Sequence, residues 1–422
     1  MNINFTIRCE TCGEPTNIRL GISNRKEQPI QFSCQTCHAS IEIILGKKGT
    51  ELKGAKEVRP PLPFDGATNF VDLHLDFPVS FDKYVMGNTP FMQAYERVSF
   101  EDMGIHGARL RTLDETADDR PAAALIIKLY LNEKWTPFKT NIERRFKIRI
   151  GSDKLEDRNA ALYTMLSQVM APFAFPGQDS EAIELYNKTL LKLRAHHWEA
   201  TQAFMKEVMD KSFLKNIQKD CLEIYPKIMD AEIPLRPALF LDFDEEWKNN
   251  PIAMRVSHAT FDMYKDVYKD ISEILSRLLI LMAGVNNLLK RGDHNAFKPE
   301  IGKAKSGKDF TPKSLQVFAD VPFGNKLDYI DDSWYELLDG SANNKLRNAI
   351  AHYKTDYNAA TQTVTYFPRK EGMEEEKGET ISFLLFMRYL LTSYREMNRL
   401  HHLVKCLFYL QFIIIDKPRK AT

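Results

Sequence analysis

A chain of 422 residues that is 44% hydrophobic, 27% charged and 11% aromatic has ample material for buried cores, which sets disorder aside and predicts two or three domains. Lys and Arg total 58 against 57 Asp and Glu, a formal net charge of +1, so the chain is no overall polycation and nucleic-acid binding would have to rest on local basic clusters. No apolar run reaches the roughly 18 residues of a membrane span, the opening MNINFTIRCETCG lacks the apolar core of a secretory signal, and four of the six cysteines form a metal-type pattern. The expectation is a reducing, cytoplasmic setting with no membrane partner.

Residues 1–50 read as a separate small module. Cys9 and Cys12 form one CxxC pair and Cys34 and Cys37 a second, with 21 residues between them. The strand-like runs NINFTI, IQFS and SIEIIL flank the pairs. Four thiolates at this spacing suit tetrahedral zinc, and the pattern resembles a zinc ribbon. So short a module has little core, so zinc is expected to supply folding energy. A site of four thiolates is closed and leaves no position for a reactive water, which argues against a zinc-dependent hydrolase and for structural zinc with no catalytic metal.

Residues 51–254 read as a mixed strand region followed by helices. RPPLPFDG (59–66) breaks regular structure. NFVDLHLDF (69–77) alternates like a strand, and His74 between Asp72 and Asp76 on one face reads as solvated, with a metal or acid/base cluster as the sharper alternative. Helical spacing runs through 122–135, 154–173 and 181–209. His196 and His197 point about 100° apart on a helix and so are poor joint ligands. The basic run KTNIERRFKIR (139–149) reads as a solvated face, with phosphate contact as the sharper alternative. Cys221 and Cys406 read as core thiols.

Residues 255–422 read as a second helical unit. A long helix spans 261–292, with Gly292 as its stop. The apolar stretches 274–285 and 403–415 read as buried helix. A lysine-rich loop follows over 293–313, and Lys303, Lys305 and Lys308 within it are candidate RNA contacts. GKAKSGKD mimics a phosphate loop but carries Asp309 where Ser or Thr is needed, with no apolar strand before it, which excludes a nucleotide hydrolase. TQTVTYF (361–367) and ETISF (379–383) read as a hairpin, and 382–415 as a closing helix.

The sharpest motif is RNAIAH (347–352). With Ser341 as N-cap, a helix over 342–354 places Leu346, Ala349, Ile350 and Tyr353 on one apolar stripe. Asn348 and His352 then share the opposite side, with Arg347 also on the polar face. His352 off the apolar stripe is no core histidine. Arg347 and His352 lie roughly 140° apart around the helix axis. A second copy packed antiparallel, close over the small Ala351, would bring Arg and His of opposite chains together. Histidine moves protons near neutrality, arginine grips phosphate through two parallel hydrogen bonds, and asparagine can donate to phosphate or fix the imidazole tautomer. Asp356 would orient the imidazole if the helix continued that far.

RNAIAH is similar to the R-x(4–6)-H motif of the HEPN superfamily, in its form with a polar residue after the arginine. The long helix ending near 290, the variable loop, the motif helix and the closing helices resemble that family too. The resemblance covers 255–422 and neither the ribbon nor the middle region. It implies a mainly α, multidomain protein whose C-terminal HEPN-like all-α bundle dimerises around its motifs. It further implies a metal-independent endoribonuclease of the toxin, abortive-infection or CRISPR kind, with Arg347 and His352 as the catalytic pair and Asn348 in support. RNA, tRNA included, would be the substrate, and an antitoxin or a phage-derived trigger the regulator. A second match, Arg395 to His401 and His402, reads as helix surface. The alternative is a non-catalytic zinc-ribbon and helical-bundle protein that binds nucleic acid or a partner.

Overall fold

The computed structural model describes residues 1–47, 49–258, 260–299, 302–303, 309–368 and 378–416. Strands come first: β1 (Asn2–Cys9), β2 (Pro15–Gly21), β3 (Gln28–Ser33), β4 (Ser40–Gly46), β5 (Gly49–Lys53), β6 (Ala55–Val58) and β7 (Asn69–Leu73). Helices follow: α1 (Pro90–Arg97), α2 (Phe100–Glu115), α3 (Arg120–Leu131), α4 (Trp135–Phe146), α5 (Leu155–Met170), α6 (Gln178–His196), α7 (Trp198–Asp210), α8 (Phe213–Asp230), α9 (Glu232–Phe240), α10 (Glu245–Asn249) and α11 (Phe261–Arg291). Then come β8 (Gly302–Lys303), β9 (Asp309–Phe310), α12 (Leu315–Ala319), α13 (Phe323–Lys326) and α14 (Asn344–Ala351). Strands β10 (Thr355–Asn358), β11 (Thr363–Tyr366) and β12 (Glu379–Ser382) lead into α15 (Phe383–Tyr409) and a π-helical turn, Leu410–Ile415. The protein is mainly helical with small sheets, as expected.

Packing gathers the chain into two compact units, neither of them continuous in sequence. Unit 1 joins Met1–Ala117, Met229–Asp266 and Lys345–Leu391, and unit 2 joins Asp118–Ile228, Val267–Asn344 and Thr392–Thr422. The sequential blocks 1–50, 51–254 and 255–422 are therefore not the bodies that pack. The block 255–422, expected to be all α, also carries the antiparallel sheet β10–β11–β12.

In unit 1 a four-stranded sheet runs in the order β6–β1–β2–β7, with β2 and β7 parallel, and a three-stranded sheet in the order β3–β4–β5. Alternating apolar positions build one core: Ile7, Ile18, Leu20, Val71 and Leu73 cluster with Ile30, Phe32, Ile41 and Ile43. Each such side chain is worth roughly 1.5–3 kcal/mol when fully buried. This core reaches Leu75, so the ribbon region is larger than 1–50 and has an apolar interior of its own. Helices α1 and α2 start at N-caps, with Thr89 Oγ1 accepting from the Met92 N–H at 3.3 Å and Ser99 Oγ from the Asp102 N–H at 3.1 Å.

Asp72, His74 and Asp76 do not form a solvated face: they are buried, at 3%, 3% and 5% exposure. Asp72 accepts from Arg19 Nε at 2.7 Å, and Arg19 also donates to the backbone oxygens of Val85 and Asn88. Asp76 accepts from Arg236 Nη1 at 2.6 Å, and Asp114 and Glu232 also bind that guanidinium. Gly21 has no alternative, because a Cβ there would collide with the His74 ring.

Among its described residues unit 2 is helical apart from the short pair β8–β9. Its expected helix over 181–209 is two helices, broken at His197, whose backbone (φ −138°, ψ 40°) is not helical. Gly284 lets α11 approach α7, since a Cβ there would meet Phe204 at 2.7 Å. The stop at Gly292 is as expected, with a left-handed φ of 68° and its N–H on Leu288 O at 2.9 Å. Among the described residues, α11 is the one helix long and apolar enough to cross a membrane, and 83% of that apolar window is buried within the protein. The basic run 139–149 is largely the exposed flank of α4, where Arg145 pairs with Asp119 at 2.5 Å.

Candidate functional site

The four cysteines meet at the tips of two like turns in unit 1. In the first, the Gly13 N–H donates to Cys9 O at 2.9 Å and the Cys9 N–H to Glu14 O at 3.1 Å. In the second, the His38 N–H donates to Cys34 O at 3.0 Å and the Cys34 N–H to Ala39 O at 2.9 Å. Gly13 (φ 76°) and His38 (φ 62°) occupy the same left-handed position, so each turn presents two thiols to one point. All four Sγ atoms lie within 4.8 Å of one another, with Cys9–Cys37 and Cys12–Cys34 both at 3.7 Å. Cys9 and Cys34 are buried and Cys12 and Cys37 exposed.

Burial pushes the Cys9 thiol up, but the N–H groups of Cys12 and Thr11 and the neighbouring sulfurs outweigh it and bring it down to about 7. The Glu14 N–H favours the Cys12 thiolate, yet burial and the other three sulfurs raise it to about 12. Four thiols this close cannot all ionise alone, and a divalent cation at their centre is what would let them. The cluster fits a metal ion held by Cys9, Cys12, Cys34 and Cys37.

The RNAIAH segment lies in unit 1, on α14. Leu346, Ala349 and Ile350 are buried, Asn348 and His352 are exposed, and Arg347 is half-buried. The helix is shorter than expected. The Tyr353 N–H donates to Ile350 O at 3.2 Å and the Lys354 N–H to Ala349 O at 2.8 Å, and Tyr353 is left-handed at φ 58°. These two bonds make a Schellman ending with Tyr353 where glycine is usual. Two expectations fall with it. Tyr353 leaves the apolar stripe and is 91% exposed. Asp356 sits in β10, beyond the helix, and is not placed one turn after His352.

His352 still donates its backbone N–H to Asn348 O at 3.0 Å, so the two stay one turn apart on the exposed side. Arg347 Nη1 donates to Asn348 Oδ1 at 2.9 Å. The asparagine carbonyl is thus engaged by the guanidinium and not by the imidazole. Burial lowers the Arg347 pKa from its ordinary value. Beside the motif, Lys345 pairs with Glu379 at 2.6 Å, and the Tyr366 hydroxyl donates to the same carboxylate at 2.7 Å. An exposed aromatic ring next to an exposed histidine is a feature the periodicity concealed, because it assigned Tyr353 to the core.

Of the loop lysines, Lys305 and Lys308 lie outside the described residues, and for Lys303 only its backbone in β8 is described. The second arginine–histidine match is not surface: Arg395 is 4% exposed and His401 fully buried, with Arg395 Nε on Phe173 O at 2.8 Å. The apolar neighbours Leu400, Leu403 and Val404 were the signal for that burial. Cys221 is buried as expected, whereas Cys406 is partly accessible and its Sγ lies 4.0 Å from Asn187 Oδ1. No family model, curated protein or solved structure matches this chain.

Proposed function

We propose that the chain is a HEPN-type RNA endonuclease, a toxin or effector of prokaryotic anti-phage defence, that needs no catalytic metal and completes its site from two copies. The observation that carries this reading is the trio at the end of α14: half-buried Arg347 bonded to exposed Asn348, with exposed His352 one turn on. In the reaction the 2′-hydroxyl of RNA loses its proton, O2′ bonds to the adjacent phosphorus, the P–O5′ bond breaks and O5′ gains a proton. His352 moves a proton at one of these oxygens. Arg347 meets the charge that builds on the non-bridging oxygens. Asn348 holds the guanidinium in place, a positioning role that replaces the expected one at the imidazole. The four-thiolate site would hold zinc as a structural ion.

A second reading, a non-catalytic module that binds nucleic acid or a partner protein, draws on one observation. Among the described residues nothing hydrogen-bonds the His352 ring, so none of them sets its tautomer. The test compares wild type with His352→Ala on total RNA and tRNA, without added divalent metal and without strong chelators. Cleavage by wild type alone, leaving 2′,3′-cyclic phosphate ends, is expected, with the variant down by about 10²–10⁴. Equal cleavage by both proteins would remove His352 from the chemistry. Binding without turnover, in the presence of triggering cell extract, would favour the second reading.

A further inference from the structure

Unit 2 contains a cavity of about 940 Å³ between α5, α6 and the end of α15. That is at the upper end of the range that holds small-molecule ligands. Its walls are made apolar even where the sequence is not. On α5, Thr164 turns its hydroxyl back to Ala160 O and Ser167 to Thr164 O, both at 2.8 Å, so each presents carbon to the space. Leu190 and Ile183 line the facing helix, and Phe175, Leu191 and Ile413 stand exposed at the rim at 43%, 63% and 52%.

The floor differs in kind. Asp179, Asn398, His402 and Lys405 converge there. Asp179 is held in place by neutral groups: both its oxygens accept from Asn398 Nδ2 at 3.0 Å, and His402 Nε2 lies 3.5 Å away. Lys405 makes no direct ion pair among the described residues, and the opposite charge that acts on it is that of Asp179 across the floor. Its Nζ approaches His402 Nδ1 at 3.4 Å and stands 4.6 Å from the Tyr163 ring centroid. Among the described residues no carboxylate oxygen comes within 4.0 Å of it. A lysine donating to Nδ1 leaves the His402 N–H at Nε2, facing Asp179, so the histidine is neutral and adds no second charge. The pocket therefore offers an apolar space ending at an ammonium with no carboxylate in direct contact among the described residues.

We infer that this cavity is a binding site for an amphiphile with a single anionic head, a long-chain carboxylate or alkyl phosphate, whose chain lies along α5 and α6 and whose head pairs with Lys405. A cationic amphiphile would be repelled by Lys405 and by Arg194 in the wall. A neutral one would leave the desolvated ammonium without a carboxylate or phosphate in direct contact, which is costly in apolar surroundings. The site stands apart from the nuclease reading, because binding to it is measured without RNA.

The test is displacement of an environment-sensitive fluorescent fatty acid from the full-length protein by dodecanoate, dodecyl phosphate and dodecanol. Both anions are expected to displace it about ten- to a hundredfold more strongly than the alcohol, the worth of a hydrogen bond to a charged group. Their ratio tells carboxylate from phosphate as the preferred head. Lys405→Met should remove that preference and leave dodecanol unchanged, while Thr164→Trp, filling the cavity from a solvent-facing position, should abolish displacement by all three. Native mass spectrometry of each variant checks that the folded protein is being compared. Absence of displacement, equal displacement by acid and alcohol, or an anion preference that survives Lys405→Met would each overturn the inference.

Discussion

Tyr353 holds a backbone conformation that costs a non-glycine residue roughly 1–2 kcal/mol, and it does so with its ring in solvent. Tyr353→Gly should therefore raise the stability of unit 1 by about 1 kcal/mol, read as a higher urea midpoint at unchanged slope. A lower midpoint would mean that the ring packs. If the same change lowers RNA cleavage, the strain is kept for a function at the site. Two buried histidines give a pH dependence. Burial brings His74 and His106 down to about 4 from 6.5. Between those values the unfolded chain takes up protons that the folded chain refuses. Stability should fall as pH drops from 6.5 towards 4, by about 1.4 kcal/mol per pH unit for each histidine. A flat stability across that window, measured by urea titration, would contradict their burial. Lys405 has the opposite range: burial brings it to about 8 from 10.5. Its cost is fully present below about 8 and gone above 10.5, so Lys405→Met should stabilise at pH 7, by something on the order of 1–3 kcal/mol, and not at pH 11. Residues like these were illegible in sequence for a plain reason. Asp72 and Asp76 look solvated until Arg19 and Arg236 arrive from 53 and 160 positions away.

At the level of elements, local patterns were read well where local physics decides. The cysteine turns, the strands around them, the long helix stopping at Gly292 and the pair β11–β12 all follow from short-range rules. The errors lie at ends. The break at His197 and the ending at Tyr353 are set by contacts and caps that no apolar spacing announces, since both sit inside runs that are helical in period. The metal turns give the clearest test here. Cys34 is 1% exposed and belongs to the apolar cluster as well as the thiol cluster. Cys34→Ser should abolish metal binding, measured by elemental analysis, and unfold the sheets of unit 1 with it. Serine at exposed Cys12 should also lose metal but leave more of the core intact. Metal retained at full stoichiometry in both variants would rule out the four-cysteine site.

For the whole molecule, the discontinuous units were beyond reach of any sequential reading. Unit 1 takes pieces from the first, middle and last thirds of the chain. A fragment spanning 255–422 therefore carries the RNAIAH motif and β10–β12 without β1–β7, α1, α2, α9 and α10 of their own unit. It should show no cooperative unfolding transition by circular dichroism, whereas the full chain should; a cooperative fragment would show that the motif region folds alone. The same arrangement places the motif and the four cysteines in one unit. Loss of the metal should consequently lower cleavage although no cysteine is assigned to the chemistry.

The interleaving also sets an order of events during synthesis. Residues 345–391 are the last portion of unit 1 to be made, and they contain Arg347, Asn348 and His352. Everything else that belongs to that unit has emerged before they do. A ribosome that stalls or terminates early thus releases a polypeptide with neither the reactive trio nor a closed fold around it. For a protein proposed to cut RNA, translation itself becomes a safeguard: only a chain extended through the last segment of unit 1 can be armed.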